Sequence, residues 1–264
     1  MPPVQTETMT SVGQYITRVE QLMAGSAADR LWFRGCSTTE HTLVPSLYRR
    51  RGMSATRLIQ IETQMLSAFQ DRSMPYRVER LAEPWETLFV MQHYGVPTRL
   101  LDWSENALVG LYFAVSQAEA TGFQSDAALW ILDPVAWNDA ALPPSAPGDR
   151  GILSRTAPSL AAYAPAQPVT SMHDRPPVAI VGMHNSPRIV AQRGTFTVFS
   201  VDSRPLEAIF ETGTFPAAAL IRFLLPRADL PGLRTSLDGL GFAESMIYPD
   251  LEGLARELKR QYGF

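Results

Sequence analysis

The chain has 264 residues, 45% of them hydrophobic and 19% charged, which is enough apolar material for a real core and argues against disorder. Its net charge of −3 excludes a broad electrostatic grip on nucleic acid or acidic membranes, while leaving room for a local basic groove. Lys259 is the only lysine, so 22 of the 23 basic residues are arginine, a bias that fits a GC-rich genome. Cys36 stands alone and cannot form an internal disulfide, which fits a reducing compartment. No apolar run reaches the roughly 20 residues that a membrane-spanning helix needs. Met1–Thr10 has neither the basic start nor the apolar centre of a signal peptide. The expectation is a soluble, cytoplasmic protein with no membrane partner.

In chain order, residues 1–9 read as a loose polar lead. Thr10 or Ser11 then caps a helix with Val12, Tyr15, Ile16, Val19, Leu22 and Met23 at helical spacing, ended by Gly25-Ser26. Arg30–Gly35 reads as a strand, with Leu31 and Phe33 on one face and Trp32 and Arg34 on the other. Ser54–Arg72 reads as a helix with the stripe Leu58, Ile61, Met65 and Phe69. Pro84 opens another helix, which Gly95 stops. Asp102-Trp103-Ser104-Glu105 has capping-box spacing and is expected to start the next helix, whose small-residue face (Ala107, Leu111, Ala114, Ala118) lets a strand approach.

Ala127–Asp133 is strand-like, and residues 134–177 are proline-rich with little periodicity, as in a lid, a binding loop or an insert. Val178–Met183, Gly194–Val201 and Ala218–Leu225 read as strands, and Pro231–Leu240 as a short helix. After Pro249-Asp250 comes an amphipathic helix expected to face Leu251, Leu254, Leu258 and Tyr262 inward. The fold expected is a single α+β domain, helical in its N-terminal half and β-rich in its C-terminal half, with residues 1–24 as a helical lead.

Chemistry concentrates on Gln92–Trp103, where Gly95 and Pro97 hold a bend carrying His, Thr, Arg, Asp and Trp. Arg34 ends a strand beside Gly35; its planar fork suits phosphate or carboxylate, or simply pairs with a local acid. His93 sits in the last turn of a helix, where the dipole favours its protonated form, and reads equally as a proton-transfer group. Asp102 is either the helix cap or a site carboxylate. Arg99 reads as an anion ligand at the same helix start. Tyr94 and Trp103 either stack on a ring or pack in the core. A third cluster, Arg188–Gly194, offers Arg188 and the amide of Gln192. His41, His93, His173 and His184 are scattered, with no metal-ligand spacing, and no Walker, dinucleotide or hydrolase motif is present.

Phe33-Arg34-Gly35, the block Gln92–Trp103 continuing through Asn106–Ala114, the later Arg188…Gln192…Gly194…Phe196 and the final Tyr248-Pro249-Asp250-Leu251-Glu252-Gly253-Leu254 together resemble the FRG domain family of bacterial and phage proteins. The likeness spans roughly residues 25–262, and the order of elements looks like a diverged ADP-ribosyltransferase with a split β-sheet core. That resemblance implies an NAD-dependent transferase, a toxin or phage-defence effector acting on protein or nucleic acid. Arg34 and Gly35 would hold the NAD pyrophosphate or ribose. His93 and Thr98 would line the nicotinamide-ribose side, Tyr94 or Trp103 would stack on the nicotinamide, and Arg99 and Arg188 would bind anionic groups. Gln192 would direct the acceptor, beside Asp102. The family's glutamate is not evident near Gln192, and Glu244 would replace it only if the fold brought it near. The alternative is a non-catalytic module that binds nucleotide or nucleic acid, or a protein-interaction factor. Neither reading uses a metal.

Overall fold

The computed structural model describes residues 3–26, 30–76, 81, 83–143, 151–167, 174–183 and 186–264; His173 and His184 lie outside these. The elements run β1 (Gln5–Thr8), α1 (Val12–Gly25), β2 (Trp32–Cys36), α2 (Ala55–Arg72), α3 (Pro84–His93), β3 (Leu100–Ser104), α4 (Ala107–Ala120), β4 (Ala127–Leu132) and α5 (Pro134–Ala141). They continue β5 (Val178–Ile180), α6 (Pro187–Gln192), β6 (Gly194–Val198), α7 (Leu206–Thr212), β7 (Leu220–Leu225), α8 (Leu230–Gly239), α9 (Glu244–Ile247) and α10 (Leu251–Gln261). Among the described residues seven strands form one sheet in the order β1-β7-β4-β2-β3-β6-β5. β1 runs parallel to β7, and the other neighbours are antiparallel. Strands are therefore spread along the chain rather than gathered in its second half. Residues 5–8 are an edge strand, not a loose lead.

Alternation along β2 explains how the sheet is coated. Leu31 and Phe33 enter a core with α1, α4 and α8, whereas Trp32 and Cys36 enter a second core with Leu58, Ile59, Trp137 and Ile209 on the opposite face. A third core joins α3 to β3, β5 and β6 through Leu88, Phe89, Met91, Leu100, Phe196 and Val198. The described part of residues 134–177 is more regular than its prolines imply: it holds α5 and a 3-10 turn at Pro158–Tyr163, and buries Trp137, Leu160 and Tyr163.

Two helix readings change. Asp102 does not cap a helix; it lies in the middle of β3, and Asn106 caps α4 by accepting from the backbone N–H groups of Leu108 and Val109. A cap preference is a local signal, and here the β3–β6 ladder, from Leu100↔Val198 to Ser104↔Gly194, carries the strand through Asp102 and moves the helix cap four residues on, to Asn106.

The last helix is turned outward. Leu251 is 83% and Tyr262 70% exposed, with Leu254 and Leu258 also exposed. The reason is Gly253, the buried residue of α10: a side chain there would stand 2.0 Å from the Tyr248 carbonyl oxygen. The polar face then turns to the protein, where Arg260 binds Asp238 and Glu244, and Glu257 accepts from the Ser245 N–H.

The sheet divides at one place. β2 and β3 are neighbours through the single pair Phe33↔Ser104, while β2–β4 and β3–β6 each continue for five pairs. Beyond Phe33 the two strands diverge. That split opens the main cleft.

Candidate functional site

The cleft at the split has a volume of about 870 Å³, and its walls come from β2, α3, β3, α4, α6, β6 and the loop after β2, with Tyr248. Arg34 stands where the missing ladder bonds would be. Its Nη1 donates to the Asp102 carbonyl oxygen at 2.7 Å and lies 3.8 Å from the Asp102 carboxylate. A side chain thus takes over the pairing that the backbone gives up; its Nε is buried with no hydrogen-bond partner among the described residues, and Nη2 is left for a ligand.

Asp102 is half-open to solvent, its side chain 55% exposed. Gln92, in the last turn of α3, donates through Nε2 to Asp102 Oδ2 at 2.7 Å. The Gln92 amide is oriented from behind, since the Thr98 hydroxyl donates to its Oε1. Thr98 is fully buried and its hydroxyl also accepts from the Leu100 N–H. It does not line the cleft as expected. Its part is to fix Gln92, which fixes Asp102.

Arg99 is also corrected. It is completely buried behind the bend, where its Nε and backbone N–H donate to the two oxygens of Glu62. It faces away from the cleft, set against α2, whose buried face is Leu58, Ile59, Glu62 and Leu66. That stripe is rotated from the expected one, and the charge of Arg99 is the reason: Glu62 has to point inward to meet it.

Glu244 does not supply the missing acid. It is 8% exposed, holds Arg234 at 2.6 Å and Arg260 at 3.0 Å, and is absent from the cleft wall. It ties α8, α9 and α10 together.

Trp103 contributes to the wall but is 3% exposed, its indole N–H donating to the Thr197 hydroxyl at 3.1 Å, so packing accounts for it better than ring stacking does. Tyr94 sits at the rim, 73% exposed, with its ring 4.9 Å edge-on from that of His93. Gly35 lines the cleft with its backbone, but the space of its absent side chain is filled by α4 and not by a ligand.

The shift at His93 runs opposite to the one that the helix dipole would give. Burial, and then the positive charge of Arg188, pull its pKa below the ordinary 6.5, outweighing the helix dipole. It is expected to titrate below pH 6.5 by NMR. An Arg188→Gln change should raise the midpoint only in part, because burial is the larger cause. The folded state disfavours the protonated ring, so this group's contribution to stability is present above pH 6.5 and is lost as pH falls through the folded pKa. A midpoint above 6.5 would contradict the burial shown here.

Arg188 closes the far side, its guanidinium 4.7 Å from the centre of the Tyr248 ring, with Arg256 on the same ring at 4.6 Å. Gln192 lies in the last turn of α6, not on a strand, and donates through Nε2 to the Ile247 carbonyl while its own carbonyl accepts from Ser104. Arg34, His93 and Gln192, distant in sequence, line one cleft.

Sequence reasoning missed Arg49, Glu40, His41 and Tyr248, all on the wall. Tyr248 had a signal, its motif with Gly253. The other three follow β2 in an irregular stretch with no periodicity to read.

A mixed seven-stranded sheet with helices on both faces and a polar cleft at its split defines a single α+β domain. Residues 29–122, from the approach to β2 to just past the end of α4, match the family model of the FRG domain. This span holds Arg34, His93 and Asp102 and stops before Arg188, Gln192 and Glu244; it is narrower than the likeness read from the sequence. No curated protein and no solved structure matches the chain. Among the described residues no helix is long and apolar enough to cross a membrane.

Proposed function

We propose that the cleft binds a dinucleotide of the NAD class and that the protein works as an ADP-ribosyltransferase-like effector on a protein or nucleic-acid acceptor. The observation that carries this reading is the convergence of Arg34, His93 and Gln192 on one cleft at a split in the sheet. The wall suits such a molecule: three arginines, Arg34, Arg49 and Arg188, line it, and the Thr195 hydroxyl in the wall is buried with no hydrogen-bond partner among the described residues. Arg34 would hold phosphate oxygens, and Tyr94 at the rim offers a ring face. Bound NAD would supply a glycosidic bond whose cleavage transfers ADP-ribose. Asp102, held by Gln92, presents a negative charge toward positive charge developing in the cleft, a fixed group that need not reorganise during reaction.

A second reading, nucleotide binding without transfer, is favoured by one observation: with Glu244 in its ion cluster, the acids on the described cleft wall are Glu40 and Asp102. Calorimetric titration separates the outcomes. NAD is expected to bind the wild type, and Arg34→Ala to weaken it by about 10- to 100-fold, the worth of a charge-assisted hydrogen bond or two. Asp102→Asn is expected to keep binding and lose NAD consumption. Unchanged consumption of NAD by Arg34→Ala would sink the proposal, and binding with no consumption by the wild type would leave the second reading.

A further inference from the structure

We propose that Arg34 and Arg49 together form a phosphate subsite at the split end of the cleft, suited to the diphosphate group of a nucleotide. This rests on the nucleotide-binding part of the reading above and not on the transfer step.

Arg49 ends a 3-10 turn, Ser46–Arg49, that the fold holds firmly. Leu43, Val44, Leu47 and Tyr48 around it are buried, and the Leu47 N–H donates to the Thr98 carbonyl oxygen. Its Nε donates to the Val44 carbonyl at 3.0 Å, and among the described residues this is its side chain's one hydrogen bond. The head of Arg49 is therefore tethered at Nε, with its terminal nitrogens uncommitted on the cleft wall. Arg34 is arranged in the same way, anchored through one nitrogen to the Asp102 carbonyl.

The charge balance of this corner is uneven. Of the acids on the wall only Asp102 approaches this pair of guanidinium groups among the described residues: it stands 3.8 Å from Arg34 and already accepts from Gln92. Glu40, the other acid on the wall, makes no ion pair with either arginine among the described residues. Burial and the neighbouring charge of Arg34 both push the Arg49 pKa down, the sign expected of two cations held together without a full counter-charge. Bringing like charges together costs free energy, and a dianion between them would remove that cost. Arg34 through Nη2 and Arg49 through its terminal nitrogens can each take phosphate oxygens, so the pair reaches both phosphates of a diphosphate, which a single arginine does less well. The two positions lie on either side of the loop that follows β2, so the subsite exists only in the folded chain.

The test is calorimetric titration of ADP, inorganic pyrophosphate and adenosine into wild-type, Arg49→Ala and Arg49→Lys proteins, with thermal melts to confirm folding. ADP and pyrophosphate are expected to bind the wild type and to bind Arg49→Ala about 10- to 100-fold more weakly, with Arg49→Lys between, since lysine keeps the charge but not the fork. Adenosine, which has no phosphate, should not distinguish the three. Stronger ADP than pyrophosphate binding assigns the subsite to a nucleotide, and equal binding to the free anion. Equal affinity of ADP for wild type and Arg49→Ala, or no binding of either phosphate compound to the wild type, overturns the proposal. NAD binding that ignores Arg49→Ala defeats the subsite while sparing the reading of the cleft; ADP binding that needs Arg49 without any response to NAD does the reverse.

Discussion

A Glu62→Ala protein is expected to lose about 3–5 kcal/mol of stability in urea denaturation, the cost of breaking a buried ion pair from one side. Glu62 is 1% and Arg99 0% exposed, so removing the carboxylate leaves a guanidinium charge where water does not reach. Two donors lose their acceptor at once, the Arg99 Nε and its backbone N–H. The second of these matters for the cleft, because Arg99 is the residue that leads into β3 and its carbonyl accepts from Phe199. Slackening there is transmitted along the strand to Asp102. Glu62→Gln should cost less, since an amide oxygen still accepts. A Glu62→Leu, Arg99→Met double variant should recover only part of the loss, since it removes the unpaired buried charge while the backbone N–H of residue 99 still lacks its acceptor. A loss of under 1 kcal/mol for Glu62→Ala would mean that the pair is solvated in solution.

Gly35→Ala is expected to be nearly as damaging, at about 1–3 kcal/mol or more, because the clash is with backbone and cannot be relieved by a rotamer. A Cβ at Gly35 would lie 2.2 Å from the Ala114 nitrogen and 2.3 Å from the Gly110 oxygen. On the helix side the fit is as tight: a Cβ at Gly110 would come 2.5 Å from that of Phe33. Together Gly35, Gly110 and Ala114 let α4 rest directly on β2. Moving α4 away would also displace Phe113 and Gln117, which close the lower wall of the cleft. The loss of stability should therefore be accompanied by weaker ADP binding in the same protein. Wild-type stability for Gly35→Ala would show that the helix has room to retreat. The glycine of Phe33-Arg34-Gly35 thus has a packing reason, while the arginine beside it has a chemical one.

How far each of these features shows in the sequence depends on how local its cause is. Ser11 as a cap, Pro84 in the first turn and the alternation of Leu31, Trp32, Phe33 and Arg34 all follow from interactions within a few residues, and the fold keeps them. The capping box at Asp102 was equally local and failed, because pairing with β6, some ninety positions along the chain, extended the strand through it. The outward stripe of α10 failed for a related reason. Its apolar spacing is a true helical signal, yet spacing says that a face is apolar and not which way a single close contact, Gly253 on the Tyr248 carbonyl, will turn it.

For the cleft, the sequence by itself determined the chemical inventory: an arginine at a strand end, a rigid bend rich in polar groups, and an arginine and a glutamine before a later strand. It also determined the FRG likeness, since that rests on residue order. Only the tertiary structure decided which of those groups meet. Thr98, Arg99 and Asp102 are neighbours in the chain, yet one is buried as a positioning residue, one is locked to Glu62 and one faces the cleft. Arg49, silent in the sequence, arrives beside Arg34 because its turn packs against the Thr98 carbonyl. Side-chain direction along a strand alternates by local geometry, but what waits on each side is set by elements distant in sequence, and a buried charge is placed only where such an element supplies its partner.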